Sequence, residues 1–195
     1  MMLLAPRLRA RALTEKYVSI PLARLLQALR ISPNSLTLTG LAVSIGAAYL
    51  LSEGWLIAGG AMMLAGAFLD MLDGPLARLK QQASRSGAFL DSVADRLGEA
   101  AVLFGLLVFY VRDGHELGVY LTVGALVASQ MVSYLRARAE SLGIPSDVGF
   151  MGRPERVVVL GAGLLAGYPL YPLAIILALS GVTMAQRIYH ALRHS

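Results

Sequence analysis

Cysteine is absent from the 195-residue chain. That excludes a disulfide framework, thiolate catalysis and Cys-ligated zinc. Charge is scarce too. Asp, Glu, Lys and Arg supply 15% of residues, where about 25% is usual for a soluble domain. The three histidines, His115, His190 and His194, are isolated in sequence and read as surface or interface residues. The single tryptophan, Trp55, sits beside a short outer loop and suits a membrane interface. The first 13 residues mix Arg7, Arg9 and Arg11 with leucine and alanine. They lack a long apolar run and a small-residue cleavage site, so they do not read as a signal peptide.

Apolar residues are abundant, at 56%. A chain of this size cannot hide that much apolar surface from water, so the bilayer is the expected solvent. The net charge of +5 would raise nucleic-acid binding in a soluble protein. Here the basic residues bracket apolar segments, so anionic headgroups and phosphate substrates are the expected partners and nucleic acid is not.

Uncharged runs cover 31–52, 54–69, 117–135 and 157–186, and a further apolar run covers 100–111. The 157–186 run, at about 1.5 Å per residue, is too long for one straight span of a ~30 Å core. Tyr168-Pro169-Leu170-Tyr171-Pro172 is expected to break it, because two close prolines stop a helix. Six spans result. With both termini in the cytoplasm, only Arg112 of the 17 basic residues falls outside, as the positive-inside rule requires. Leucines at helical spacing between Arg and Lys over 8–29 predict an amphipathic juxtamembrane helix, broken at Ile31-Ser32-Pro33-Asn34. The expected fold is all-α. One membrane domain fills residues 1–195, with a surface helix at 8–29 and a six-helix bundle at 31–193. Gly59, Gly60, Gly161 and Gly163 are expected to allow close helix contacts.

The chemistry is concentrated in one stretch. Asp70-Met71-Leu72-Asp73-Gly74-Pro75-Leu76-Ala77-Arg78 is followed, after eight residues, by Gly87-Ala88-Phe89-Leu90-Asp91-Ser92-Val93-Ala94-Asp95. Asp70 and Asp73 share one face of a helix end, and Asp91 and Asp95 share a face of the next helix. Four carboxylates at low dielectric repel one another, and hard divalent cations, two of them, would neutralise the set. Paired metals suit phosphoryl transfer. Gly74 and Gly87 permit close approach of backbone and ligand, and Arg78 can meet a pyrophosphate. A solvated cap accounts for one such aspartate, but not for four at helical spacing beside two glycines and an arginine.

These residues resemble the signature of the CDP-alcohol phosphatidyltransferase family, D-x2-D-G-x2-A-R, eight residues, then G-x3-D-x3-D, at every fixed position. The resemblance implies that Asp70, Asp73, Asp91 and Asp95 bind two Mg2+ or Mn2+ ions and that Asp95 is also the general base. It implies that Gly74, Ala77, Arg78 and Gly87 surround the CDP moiety of a CDP-lipid. Asn34 and Thr37 match a secondary family pattern near the nucleotide, and Ser84 would offer a hydroxyl to the pyrophosphate. A homodimer is likewise an expectation inherited from the family.

The acceptor alcohol is read elsewhere. Ser129 to Glu140 close the fourth span, Gly152-Arg153-Pro154-Glu155-Arg156 open the fifth, and Gln186-Arg187 close the sixth. Three helix ends thus present arginines, a plausible arrangement for a phosphorylated acceptor. The pattern S-Y-x-[KR]-A-R-A-E followed by R-P-E-R resembles the phosphatidylinositol phosphate and archaetidylinositol phosphate synthases. That resemblance implies that Ser133, Arg136, Arg156 and Arg187 hold inositol 1-phosphate. Arg136 stands where lysine is common, which keeps the charge and changes the hydrogen-bond geometry.

The expected function is transfer of a phosphatidyl group from CDP-lipid to inositol 1-phosphate, in the cell membrane, at a site facing the cytoplasm. Three alternatives compete. Glycerol-3-phosphate would be the acceptor in a phosphatidylglycerophosphate synthase. An intramembrane aspartyl protease needs two facing aspartates and leaves Arg78 and the glycines unexplained. A metal transporter needs polar residues continuing through the spans, whose outer halves here are apolar.

Overall fold

The computed structural model describes residues 17, 19–80, 84–146 and 148–194. Among the described residues there is no strand and there are seven helices. These are α1 (Ile20–Ala28), α2 (Pro33–Ser52), α3 (Leu56–Leu79), α4 (Arg85–Arg112), α5 (Glu116–Ser141), α6 (Arg153–Leu165) and α7 (Leu170–His194). Helices α2, α3, α5 and α7 are long and apolar enough to cross a membrane. The other two expected spans are of a different kind. Helix α4 carries Arg85, Asp91, Asp95, Arg96, Glu99 and Arg112. Helix α6 has only 13 residues, roughly 20 Å of helix against a ~30 Å hydrocarbon core.

Polarity is distributed as in a protein whose solvent is lipid. Leu38, Ile45, Tyr49, Phe104, Val127, Val158 and Ile175 are exposed, while Thr37, Ser44, Asp73, Thr122, Ser129, Arg156, Ser180, Thr183 and Arg187 are buried. In water the exposed set would form an adhesive apolar surface, and the buried set would gain nothing from being hidden.

The 157–186 run is broken where the prolines predict, but glycine makes the turn. Helix α6 stops at Leu165, and Gly167 takes a left-handed conformation at φ 77°. The Gly167 N–H returns to Leu164 O at 3.1 Å and the Tyr168 N–H to Gly163 O at 2.8 Å. Pro172 falls in the first turn of α7, where its missing N–H has no helical partner to lose. The same hydrogen-bonded closure ends α2 at Gly54, α4 at Gly114 and α5 at Gly143. At the end of α1 the left-handed position is instead held by Arg30, at φ 59°.

The chain divides into two compact units. The first joins the described residues up to 42 with 65–95. Its core is Ala23, Leu36, Leu72 and Leu76, with Leu22, Leu26, Leu69 and Leu79 packed around it. Lys80 Nζ donates to Ile31 O at 2.6 Å, tying the end of α3 to the α1–α2 linker. The surface helix expected over 8–29 lies partly outside the described residues. Its described part, α1, packs through Leu22, Ala23 and Leu26 and leaves Arg24, Leu25 and Leu29 exposed. The second unit joins 43–64 with the described residues from 96 onward. Its core includes Leu51, Met63, Leu103, Leu106, Tyr110, Leu160, Leu164, Leu173 and Ile176. Helices α5 and α6 both pack on α7. Glycines serve close packing here, as expected: a Cβ at Gly60 would meet Leu164 and one at Gly161 would meet Leu64, each at 2.6 Å.

Candidate active site

All four signature aspartates belong to the first unit. Asp70 and Asp73 lie on α3, one turn apart, and Asp91 and Asp95 lie on α4, again one turn apart. Helix α3 runs on past both aspartates to Leu79, with Pro75 inside it. Proline has no N–H to give to the carbonyl four residues earlier in the helix, that of Met71, between Asp70 and Asp73.

Asp73 is 8% exposed, and the buried Thr37 hydroxyl donates to its Oδ2 at 2.8 Å. The Asp73 side chain also interacts directly with that of Asp91 on the other helix. Asp70, Asp91 and Asp95 are half-buried. Among the described residues no three acidic or histidine side chains close on one point as a finished metal cage. Asp73 and Asp91, one from each helix, meet side chain to side chain. The donor set fits a hard divalent cation: only carboxylate and hydroxyl oxygens are offered, and two like charges meet in partial burial, where a cation relieves their repulsion.

The donor-side residues gather in the same unit. Ser84 caps α4, its Oγ accepting from the Gly87 N–H at 3.0 Å. Its hydroxyl lies 3.2 Å from Ser86 Oγ. A Cβ at Gly87 would lie 3.5 Å from Asn34 Oδ1, which sets the start of α2 beside the start of α4. Asn34 and Arg78 are exposed, and Gly74 and Ala77 are half-buried.

The acceptor-side residues belong to the second unit. Arg156 is 2% exposed and reaches Ser133 Oγ at 3.4 Å through Nη2. Arg187, also buried, donates to the carbonyl of Val132, next to Ser133, and to Val148 O at 3.0 Å. Ser133, Arg156 and Arg187 are thus brought to one end of α5. Arg136 is different: it is exposed and bonds along its own helix to Glu140 Oε1 at 2.8 Å. The loop that follows α5 is held down by side chains. Arg187 takes Val148 O, Arg156 Nη1 takes Met151 O, Thr183 Oγ1 accepts from the Met151 N–H, and His190 bonds Pro145 O. His115 caps α5, accepting from the Gly118 N–H.

Sequence reasoning missed two residues. Gly40 lies against Asp70: a Cβ there would stand 2.0 Å from Asp70 Oδ1. The signal was its place three residues after Thr37, on the same helical face. Glu99 grips Arg156 with both oxygens, Nε to Oε1 at 2.6 Å and Nη2 to Oε2 at 2.8 Å. Its signal was an unexplained acid inside an apolar segment.

A carboxylate pair is thus held by a buried hydroxyl in a chain with four helices long and apolar enough to cross a membrane. The chain belongs to the CDP-alcohol phosphatidyltransferase family, whose model matches residues 30–190. It is 39% identical over 161 residues to the archaetidylinositol phosphate synthase of Methanothermobacter thermautotrophicus, covering 80% of each chain. It is 39% identical over 185 residues to the phosphatidylinositol phosphate synthase of Mycobacterium marinum, covering 88% of this chain and 78% of that one. The crystal structure of Mycobacterium tuberculosis phosphatidylinositol phosphate synthase with CDP-DAG bound is similar at a TM-score of 0.80 and 33% identity, covering 89% of this chain and 93% of that one. The same enzyme in complex with manganese and citrate matches at a TM-score of 0.82 and 32% identity, covering 90% of this chain and 89% of that one.

Proposed function

We propose that the protein transfers the phosphatidyl group of a CDP-lipid to inositol 1-phosphate, giving phosphatidylinositol phosphate and CMP. The observation that carries the acceptor is the gathering of Ser133, Arg156 and Arg187 at the end of α5. Two buried arginines and a hydroxyl are a costly arrangement that a phosphomonoester justifies. Two relatives that share the sequence over most of its length are named for the same product class.

Asp70, Asp73, Asp91 and Asp95 would hold two divalent cations, Mg2+ or Mn2+. Bound there, they would neutralise charge at the pyrophosphate. Thr37 orients Asp73 by its hydrogen bond. Gly74, Ala77, Gly87 and Asn34 surround the cytidine nucleotide, and Arg78 takes a pyrophosphate oxygen. Asp95 removes the proton from the attacking inositol hydroxyl. That oxygen bonds to the lipid-linked phosphorus, and the bond from this phosphorus to the bridging oxygen breaks with CMP as the leaving group.

Helices α2 to α7 form six spans of one domain in the cell membrane, with both termini and the site on the cytoplasmic side and the protein a homodimer. The chain's basic residues sort by side only in that arrangement. Single cysteines test it without background, because the native chain has none. Ser52→Cys is expected to label from outside the cell and Ser86→Cys is not. Outside labelling of Ser86→Cys would overturn the orientation.

A further inference from the structure

Arg156 is already engaged before any ligand is considered. Glu99 binds it as a fork, at 2.6 and 2.8 Å. Its side chain is 2% exposed and that of Glu99 is 9% exposed. The Met151 carbonyl takes one Nη1 hydrogen at 3.3 Å, and Ser133 Oγ takes the second Nη2 hydrogen at 3.4 Å. A guanidinium carries five N–H groups in a rigid plane. Among the described residues four of them are accounted for, and the fifth, on Nη1, is the one a ligand would meet.

This bears on how Arg156 can work. A buried arginine without a carboxylate would be strongly unfavourable, and a single hydrogen bond would let its plane rotate. The fork prevents both: it balances the charge and fixes the plane, with Ser133 at one edge and the spare N–H at a set angle. An acid aimed at the arginine of an anion site also lowers that site's positive charge, so a site selected for charge alone would have no use for it.

We infer that Glu99 is a positioning residue for the acceptor: it acts through Arg156, holding the guanidinium and Ser133 in the arrangement that receives the acceptor's phosphate. The inference rests on the proposed inositol 1-phosphate reading and adds the residue that orients its anion site. Glu99→Gln keeps the shape of the side chain but sets an amide N–H2 against a guanidinium N–H, so the fork is lost.

The test uses purified full-length enzyme with CDP-DAG and inositol 1-phosphate. It compares wild type, Glu99→Gln, Glu99→Asp, Arg156→Gln and the Glu99→Gln/Arg156→Gln double variant. Glu99→Gln is expected to raise the KM for inositol 1-phosphate about tenfold or more, the scale of one lost charge-assisted contact. The KM for CDP-DAG should stay within about twofold. Glu99→Asp, which keeps the charge, should recover part of the loss. The double variant should be no worse than Arg156→Gln alone, because Glu99 has nothing left to hold. Glu99→Asp carries the test if Glu99→Gln does not fold, since it keeps both charges of the buried pair and shifts only the geometry of the fork: its acceptor KM should rise while the KM for CDP-DAG does not. An unchanged or lower acceptor KM in folded Glu99→Gln would overturn the inference. So would an equal rise in both KM values, or a further loss in the double variant. Wild type that ignores inositol 1-phosphate would instead overturn the proposed function.

Discussion

The Thr37 hydroxyl donates to Asp73 Oδ2 at 2.8 Å, linking α2 to the first carboxylate pair across a buried contact. The hydrogen bond fixes which lone pairs of Asp73 face its neighbour Asp91. Thr37→Val keeps the volume and removes the donor. It is expected to weaken metal-dependent activity about 10- to 100-fold, read as a rise in the metal concentration for half-maximal rate. Thr37→Ser should retain most activity.

Gly40→Ala tests the approach of Asp70. An alanine would normally stabilise a helix interior by roughly 0.5–1 kcal/mol. Here its Cβ would stand 2.0 Å from Asp70 Oδ1. Asp70 must move, and turnover is expected to fall on the order of a hundredfold, or about 2.7 kcal/mol of barrier. Full activity at an unchanged melting temperature would remove Asp70 from the site.

Asn in place of Asp70, Asp73, Asp91 or Asp95 should each lower the rate about a hundredfold or more. Chelation should abolish activity, and Mg2+ or Mn2+ should restore it. Near-normal activity in two of the four folded variants would contradict a two-cation site.

Arg30→Gly concerns stability. Arg30 holds the left-handed position, φ 59°, that glycine holds at the ends of α2, α4, α5 and α6. A side chain in that conformation costs about 1 kcal/mol, so Arg30→Gly should raise the melting temperature slightly. Gly114→Ala, at φ 68°, should lower it.

Much of this was legible in the sequence because local spacing determines it. The aspartates at Asp70, Asp73, Asp91 and Asp95 fall on two helix faces by arithmetic alone, and the break before α7 follows from the two prolines, although the turn itself is made by Gly167. What failed to show was set by contacts between distant segments. Gly40 matters only because α3 brings Asp70 against it. Glu99 reads as a stray acid until Arg156, 57 residues away, closes on it. Arg136 and Arg156 read alike as basic residues at helix ends, yet one is exposed and pairs along its own helix while the other is buried in a fork. The span count is less legible for a related reason. A charged α4 and a 13-residue α6 do not carry the continuous apolar signal that length and hydropathy detect.

The central claim is the acceptor. Purified enzyme with CDP-DAG and a divalent cation should be offered inositol 1-phosphate, inositol, glycerol-3-phosphate and serine in parallel, with CMP release and the lipid product measured together. Inositol 1-phosphate should give CMP and phosphatidylinositol phosphate in equal amounts. Free inositol should be slower by about tenfold or more, since it lacks the group that Ser133, Arg156 and Arg187 receive. Preference for glycerol-3-phosphate, or equal use of free inositol, would contradict the account while leaving the chain within its family.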